Sequence, residues 1–170
     1  MLKKMRRLLV VVLALSMVLS LTACSKKSIS ADDFIEIMED EYDCEIVEIE
    51  LSGTGREAII NARSTDDNFF VTYEYLEELR PAEMNFDSQV RMYENMKKSD
   101  DFDGTIKKSG SGNFEKLIIK GDVTFMGSDS EDEVYKVIIR SGKMIITATI
   151  YDTGNKAVRI IDGVIETLGY

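Results

Sequence analysis

Lys136 to Ile150 read KVIIRSGKMIITATI. Apolar and β-branched residues run on both sides of Ser141-Gly142, and a two-residue pair of this type between two such runs predicts a hairpin. Within the second run, Met144, Ile146, Ala148 and Ile150 alternate with Ile145, Thr147, Thr149 and Tyr151, the signature of a strand with two distinct faces. The hairpin makes the pairing antiparallel.

Working outward, Glu45–Leu51 alternates with Val47, Ile49 and Leu51 on the expected inner face and Glu48 and Glu50 opposite. Ser52 to Gly55 forms a turn. Glu57–Arg63 alternates through Ala58, Ile60 and Ala62, and Asp66-Asp67-Asn68 turns the chain into an aromatic strand, Phe69–Leu76. Further strands are expected at Phe114–Lys120 and Asp122–Met126, either separate or as one bent strand, and at Glu133–Arg140 and Lys143–Tyr151. Ser99–Asn113, rich in Gly, Ser and charge, is expected as a flexible loop.

Three helices punctuate these strands. Ser30 opens the first as a cap with Asp33 three residues on, Ile29 and Phe34 form a staple, and Phe34, Ile35, Met38 and Tyr42 give the inner stripe. Pro81 is expected at the first position of the second, which continues through Phe86, Val90 and Tyr93 to about Lys98. Ala157, Ile161, Val164, Ile165 and Leu168 line the third, which Gly169 ends. The order α-βββ-α-βββ(β)-α predicts an α+β fold, an antiparallel sheet of six or seven strands with helices mainly on one face.

The N-terminus carries a different signal. MLKKMRR holds four cations and no acid, and Leu8–Leu21 is apolar except for Ser16 and Ser20. This is the pattern of a secretory signal peptide, shorter than the roughly 20 apolar residues a membrane span needs. Leu21-Thr22-Ala23-Cys24 then resembles the lipobox of bacterial lipoproteins. That resemblance implies removal of residues 1–23 and diacylglyceryl attachment to Cys24, with residues 24–29 as a tether and 30–170 as a single domain. A secreted chain with an incidental cysteine is the alternative. Two acyl chains suffice for stable anchoring where one does not, and the expected location is the outer face of the cell membrane.

TACSKKSISADDF, KVIIRSGKMIITATI and the closing IIDGVIETLGY together resemble small, uncharacterised lipoproteins of Gram-positive gut anaerobes. The resemblance implies a membrane-anchored α+β domain and supplies no catalytic residues.

Beyond residue 23 remain 147 residues with 17 basic and 31 acidic side chains, a net charge of −14. Such a surface repels nucleic acid and anionic lipid, so anchoring falls to the acyl chains. Cys44, alone once Cys24 is lipidated, has no disulfide partner and reads as a small buried hydrophobe.

The chain has no histidine, which removes Ser-His-Asp and Cys-His nucleophilic systems and most catalytic zinc sites. It has no phosphate-binding glycine loop. Ser99–Gly104 overlays the start of a calcium loop but puts Ser99 first and Gly110 where a bidentate Glu is required. Asp129–Glu133 is dense in carboxylates that a hairpin loop turns to water. A carboxylate pair is in principle enough for glycoside hydrolysis, but nothing singles one out. No catalytic, cofactor-binding or metal residue is therefore assigned. Met84, Met92 and Met96 are expected to fill gaps beneath the sheet rather than form a binding groove. The leading functional expectation is a non-enzymatic binding or accessory module for a protein or peptide partner. It would use the sheet face opposite the helices, where Ile145, Thr147, Thr149 and Tyr151 join Thr72, Glu74, Ile59 and Asn61. The alternative is a small-ligand- or cation-binding lipoprotein.

Overall fold

The computed structural model of the chain describes residues 28–49, 53, 55–99, 101–124 and 131–170. The expected leader and tether (1–27, Cys24 included), Glu50, Leu51, Ser52 and Thr54 of the first strand and its turn, Asp100 of the first acidic cluster, Phe125 and Met126 of an expected strand, and the Asp129–Ser130 part of the second cluster lie outside these residues. In chain order the elements are α1 (Ala31–Asp40), β1 (Glu45–Glu48), β2 (Arg56–Ser64), β3 (Phe69–Leu76), α2 (Leu79–Lys98), β4 (Phe102–Ser111), β5 (Phe114–Thr124), β6 (Glu131–Ser141), β7 (Met144–Ile150) and α3 (Asn155–Thr167).

The seven strands form one antiparallel sheet in the order β1-β2-β3-β7-β6-β5-β4. Two meanders, β1–β3 and β4–β7, meet where β3 pairs with β7 from Phe69↔Ile150 to Tyr75↔Met144. The quoted hairpin thus supplies the central strand. Its uninterrupted apolar run has a physical reason, since Ile145 and Ile146 point to opposite faces and both are buried.

α1 and α3 cover one face. Phe34 and Met38 from α1, with Ile161, Val164 and Ile165 from α3, pack on Ile60, Val71, Val137, Ile139, Ile146 and Ala148. Ser30 caps α1, its hydroxyl accepting from the Asp33 amide at 3.1 Å; the Asp33 carboxylate answers by accepting from the Ser30 hydroxyl at 2.6 Å. α2 takes the other face over β4–β6, where Ala82, Phe86 and Tyr93 meet Phe102, Leu117, Ile119, Val134 and Ile138. Two helices therefore share a face as expected, and the third covers half of the opposite one. Pro81 sits third in α2 rather than first; an amide in the first turn has no intrahelical partner, so its absence there costs little.

The stretch expected as a loop at Ser99–Asn113 is mostly strand. Phe102–Ser111 pairs along its whole length with β5. Phe102 is buried edge-on to Tyr93, with ring centroids 6.0 Å apart, and Lys108 lays its ammonium 5.2 Å from the Phe86 ring. The SGSG of 109–112 belongs to the turn and the strand end before it, where Gly110 and Gly112 take φ of 84° and 64°, while Ser99 caps α2 and Gly104 lies within β4. Lys107 and Lys108 give this edge strand charges that discourage further pairing.

Phe114–Thr124 is one strand, and Gly121 within it faces Gly104 across the ladder. A Cβ at Gly121 would run into the Asp103 carbonyl oxygen, and one at Gly104 into that of Lys120. Backbone atoms cannot swing aside. Gly121→Val is therefore expected to cost about 2–3 kcal/mol by overpacking, read as a lower urea midpoint at unchanged slope.

Candidate functional site

Over β1, β2, β3 and β7, the face that α2 covers elsewhere is open. Cross-strand register orders it into rungs. Ile49, whose amide donates to the Ile59 carbonyl at 3.0 Å, lines up with Ile59, Glu74 and Ile145. Val47, Asn61, Thr72 and Thr147 form the next rung, and Glu45, Arg63, Phe70 and Thr149 the third. Tyr151 follows along the chain, its ring centroid 6.0 Å from that of Phe70.

The residues nominated from the sequence do share this face, but not equally. Ile59, Asn61, Thr72, Glu74 and Thr147 are half-buried and Tyr151 is exposed, whereas Ile145 and Thr149 are buried. Ile145 belongs to the core beneath α2. Thr149 is walled by Phe70 on one side and Lys136 on the other, and the Lys136 ammonium reaches 5.6 Å from the Tyr93 ring of α2.

β1 overturns an expectation. Ile46, opposite Ala62, turns toward the helical face. Val47 and Ile49, expected inward, are 51 % and 43 % exposed on the open face. Alternation assigns residues to two sets; pairing with β2 decides which set meets the helices. The methionine expectation changes as well. Lys108 Nζ lies 3.6 Å from Asp87 Oδ1 and Lys97 Nζ donates to the Gly104 carbonyl at 2.8 Å, so that flank of α2 faces β4. At about 100° per residue, Gln89, Met92 and Met96 fall on the other flank, bordering the open half-face. Met96 packs against the core, while Met84 and Met92 are exposed rather than buried under the sheet.

Polar groups on the face are largely matched to one another. Thr72 Oγ1 donates to Asn61 Oδ1 at 2.9 Å, and Arg56 Nε donates to Glu74 Oε2 at 2.7 Å. Among the described residues, Thr149 Oγ1 is the buried side-chain polar atom without a partner. An orphaned buried hydroxyl costs about 1–3 kcal/mol. Thr149→Val keeps the shape, and is expected to raise stability by about 1 kcal/mol in chemical denaturation.

Open grooves flank the domain. One of about 630 Å³ runs between the start of α1 and β2–β3, bordered by Ser30, Asp33, Glu57, Tyr73 and Tyr75. Another of about 630 Å³ lies between β5 and α3, with Lys116, Asp162 and Glu166 on its walls. There Tyr135 donates to Asp162 Oδ1 at 2.7 Å, and burial followed by the Asp162 carboxylate keeps the phenol protonated well beyond its usual range. A third of about 380 Å³, between Arg63, Asn68, Phe69, Phe70 and Tyr151, continues the open half-face to its end.

Among the described residues of the acidic clusters, Asp101 and Glu133 have local partners. Ser99 Oγ donates to Asp101 Oδ2 at 2.6 Å. Asp103 stands opposite Asp122, itself opposite Glu133, and Glu133 accepts from the Thr153 amide and hydroxyl, which lower its pKa. No group of three or more metal-ligating side chains converges among the described residues. Cys44 is buried, and burial, then the Asp43 charge, pushes its thiol up to about 11, the inert hydrophobe expected. No described helix is long and apolar enough to cross a membrane. The chain matches no family model, no curated protein and no solved structure.

Proposed function

We propose that the chain is a lipid-anchored extracytoplasmic binding module that recognises a polypeptide partner through the open half-face of β1–β3 and β7. One observation carries the reading: Val47 and Ile49 stand exposed beside half-buried Ile59, Thr72 and Thr147 on a face whose other half needs a whole helix to cover it. Such a patch offers apolar area with hydroxyl and amide groups among it, the composition of a contact surface rather than of a reaction centre. The lipobox-like LTAC at 21–24 supports residence at the membrane. The grooves are open-sided, which favours a polypeptide over an enclosed small ligand.

The test is crosslinking in cells of the natively anchored protein, followed by recovery from the membrane fraction and mass spectrometry, with Cys24→Ala alongside. A partner whose crosslinks map to the half-face, and are lost with the anchor, is the expected result. Crosslinks confined to other surfaces would sink the proposal.

A further inference from the structure

We infer that the domain stands on the bilayer through the hairpin end of its sheet, with its opposite, acidic end held away from an anionic leaflet. This rests on the lipid-anchored reading above and specifies which surface of the domain meets the lipid.

Three hydrogen bonds clasp the first described residues to one end of the sheet. Ser28 Oγ donates to the Ser141 carbonyl at 2.7 Å. Tyr73 Oη donates to the Ile29 carbonyl at 3.2 Å, and the Ile29 amide donates to Tyr170 Oη at 3.1 Å. Burial pushes the Tyr73 phenol up to about 12, so it remains a donor at neutral pH. The β6–β7 turn lies here, and so does the β4–β5 turn, since the Gly142 amide donates to the Asn113 carbonyl at 2.7 Å. The Phe114 and Tyr170 rings stack beside them at 6.1 Å.

Ser25 to Lys27 alone separate the clasp at Ser28 from Cys24, and the four steps between 24 and 28 span at most about 14 Å. The hairpin end therefore stays within that distance of the headgroups. The other end lies about 35 Å off along the 11 residues of β5.

Charge decides how the domain leans. The far end gathers Asp40 and Asp43 between α1 and β1, Asp66 and Asp67 in the β2–β3 turn, Asp122 near the end of β5, Glu131 and Asp132 at the start of β6, and Asp152 after β7. These outnumber Lys97 and Lys98 at the end of α2 and Lys156, the last paired with Asp67 at 3.2 Å. The hairpin end interleaves Arg56, Arg80 and Lys143 with Glu57, Glu77 and Glu78, and the start of α1 adds Asp32 and Asp33. Leu79, 40 % exposed, starts α2 there. An anionic leaflet attracts Lys26 and Lys27 and repels carboxylates within a Debye length of its surface. Lying flat brings the acidic end into that layer; standing upright removes it. Upright, the open half-face stands perpendicular to the membrane and is reached from the side.

The test uses the full lipidated chain in vesicles of phosphatidylcholine and phosphatidylglycerol carrying a headgroup-labelled acceptor. In a Cys44→Ala background, a donor dye is placed through Asn113→Cys or Asp67→Cys, with Ser111→Cys and Asp132→Cys as a second pair. With the two ends about 35 Å apart in height, transfer from 113 and 111 is expected to exceed that from 67 and 132 by at least about twofold. Equal or reversed transfer from vesicle-bound protein would overturn the orientation alone. Failure of the chain to bind vesicles, or binding that survives Cys24→Ala, would overturn the anchor and the orientation with it.

Discussion

Replacing Glu115 by alanine is expected to destabilise the domain by about 3–5 kcal/mol. Arg140 is 2 % exposed, and its guanidinium holds Glu115 Oε2 with Nε at 3.0 Å and Nη2 at 2.7 Å. It also donates to the Gly142 carbonyl at 3.3 Å and to that of Gly112, tying together the turns of the β4–β5 and β6–β7 hairpins. Lys108 reaches the second carboxylate oxygen at 2.9 Å. Alanine leaves a buried cation with carbonyl partners only, and removing one partner costs more than the intact pair contributes. The loss is measured as a shift in the urea midpoint. Arg140→Met with Glu115→Leu, which removes both charges, is expected to recover most of it.

The same pair sets part of the acid limb of stability. Burial opposes ionisation of Glu115, but hydrogen bonds from Lys108 and Arg140 outweigh it and hold the carboxyl below its ordinary value of 4.5. A carboxyl depressed in the folded state contributes stability that is fully present above the unfolded pKa, and that contribution is lost as pH falls through the folded one. Glu115→Gln is therefore expected to be less stable than the parent at neutral pH, the gap closing in denaturation curves below about pH 4.5.

What was legible in the sequence follows local chemistry. Ser30 and Asp33 announce α1 because a cap is a contact between residues three apart. KVIIRSGKMIITATI announces its hairpin because the turn and both alternations lie within fifteen residues. β4 was obscured because its strand character depends on tertiary partners: Phe102 needs Tyr93 and Lys108 needs Glu115, and its composition alone is that of a loop. The half-face shows the same limit. The alternation of β7 placed Thr147 and Thr149 together, yet their exposure depends on α2, which packs on the face opposite α1 and α3. Val47 and Ile49 were misassigned because no periodicity states which side of a strand a distant helix covers.

That misassigned pair leads to the largest functional effect. Val47→Lys combined with Thr147→Lys is expected to weaken partner capture by roughly 100-fold, about 2.7 kcal/mol, with little change in stability. The two positions end the same rung, so the ammonium groups bracket Asn61 and Thr72. Free in water, each lysine extends its stem along the sheet and keeps its charge solvated. Under a partner, that solvation is lost, and at position 147 no counter-charge replaces it, since Glu74 on the next rung is already held by Arg56 at 2.7 Å; at position 47 the neighbouring Glu45 lies on the same face. Unpaired charge at a buried contact costs about 2–5 kcal/mol, whereas at Val47, 51 % exposed, a substitution away from such contacts stays within about 0.5 kcal/mol; Thr147 is half-buried, so the urea midpoint of the variant is measured alongside capture. Met84→Lys, at a position 61 % exposed on α2, adds the same charge away from the face and is expected to leave capture unchanged. If the rung variant captures its partner as well as the parent does, recognition does not run through this half-face. If Met84→Lys weakens capture equally, added charge alone accounts for the loss.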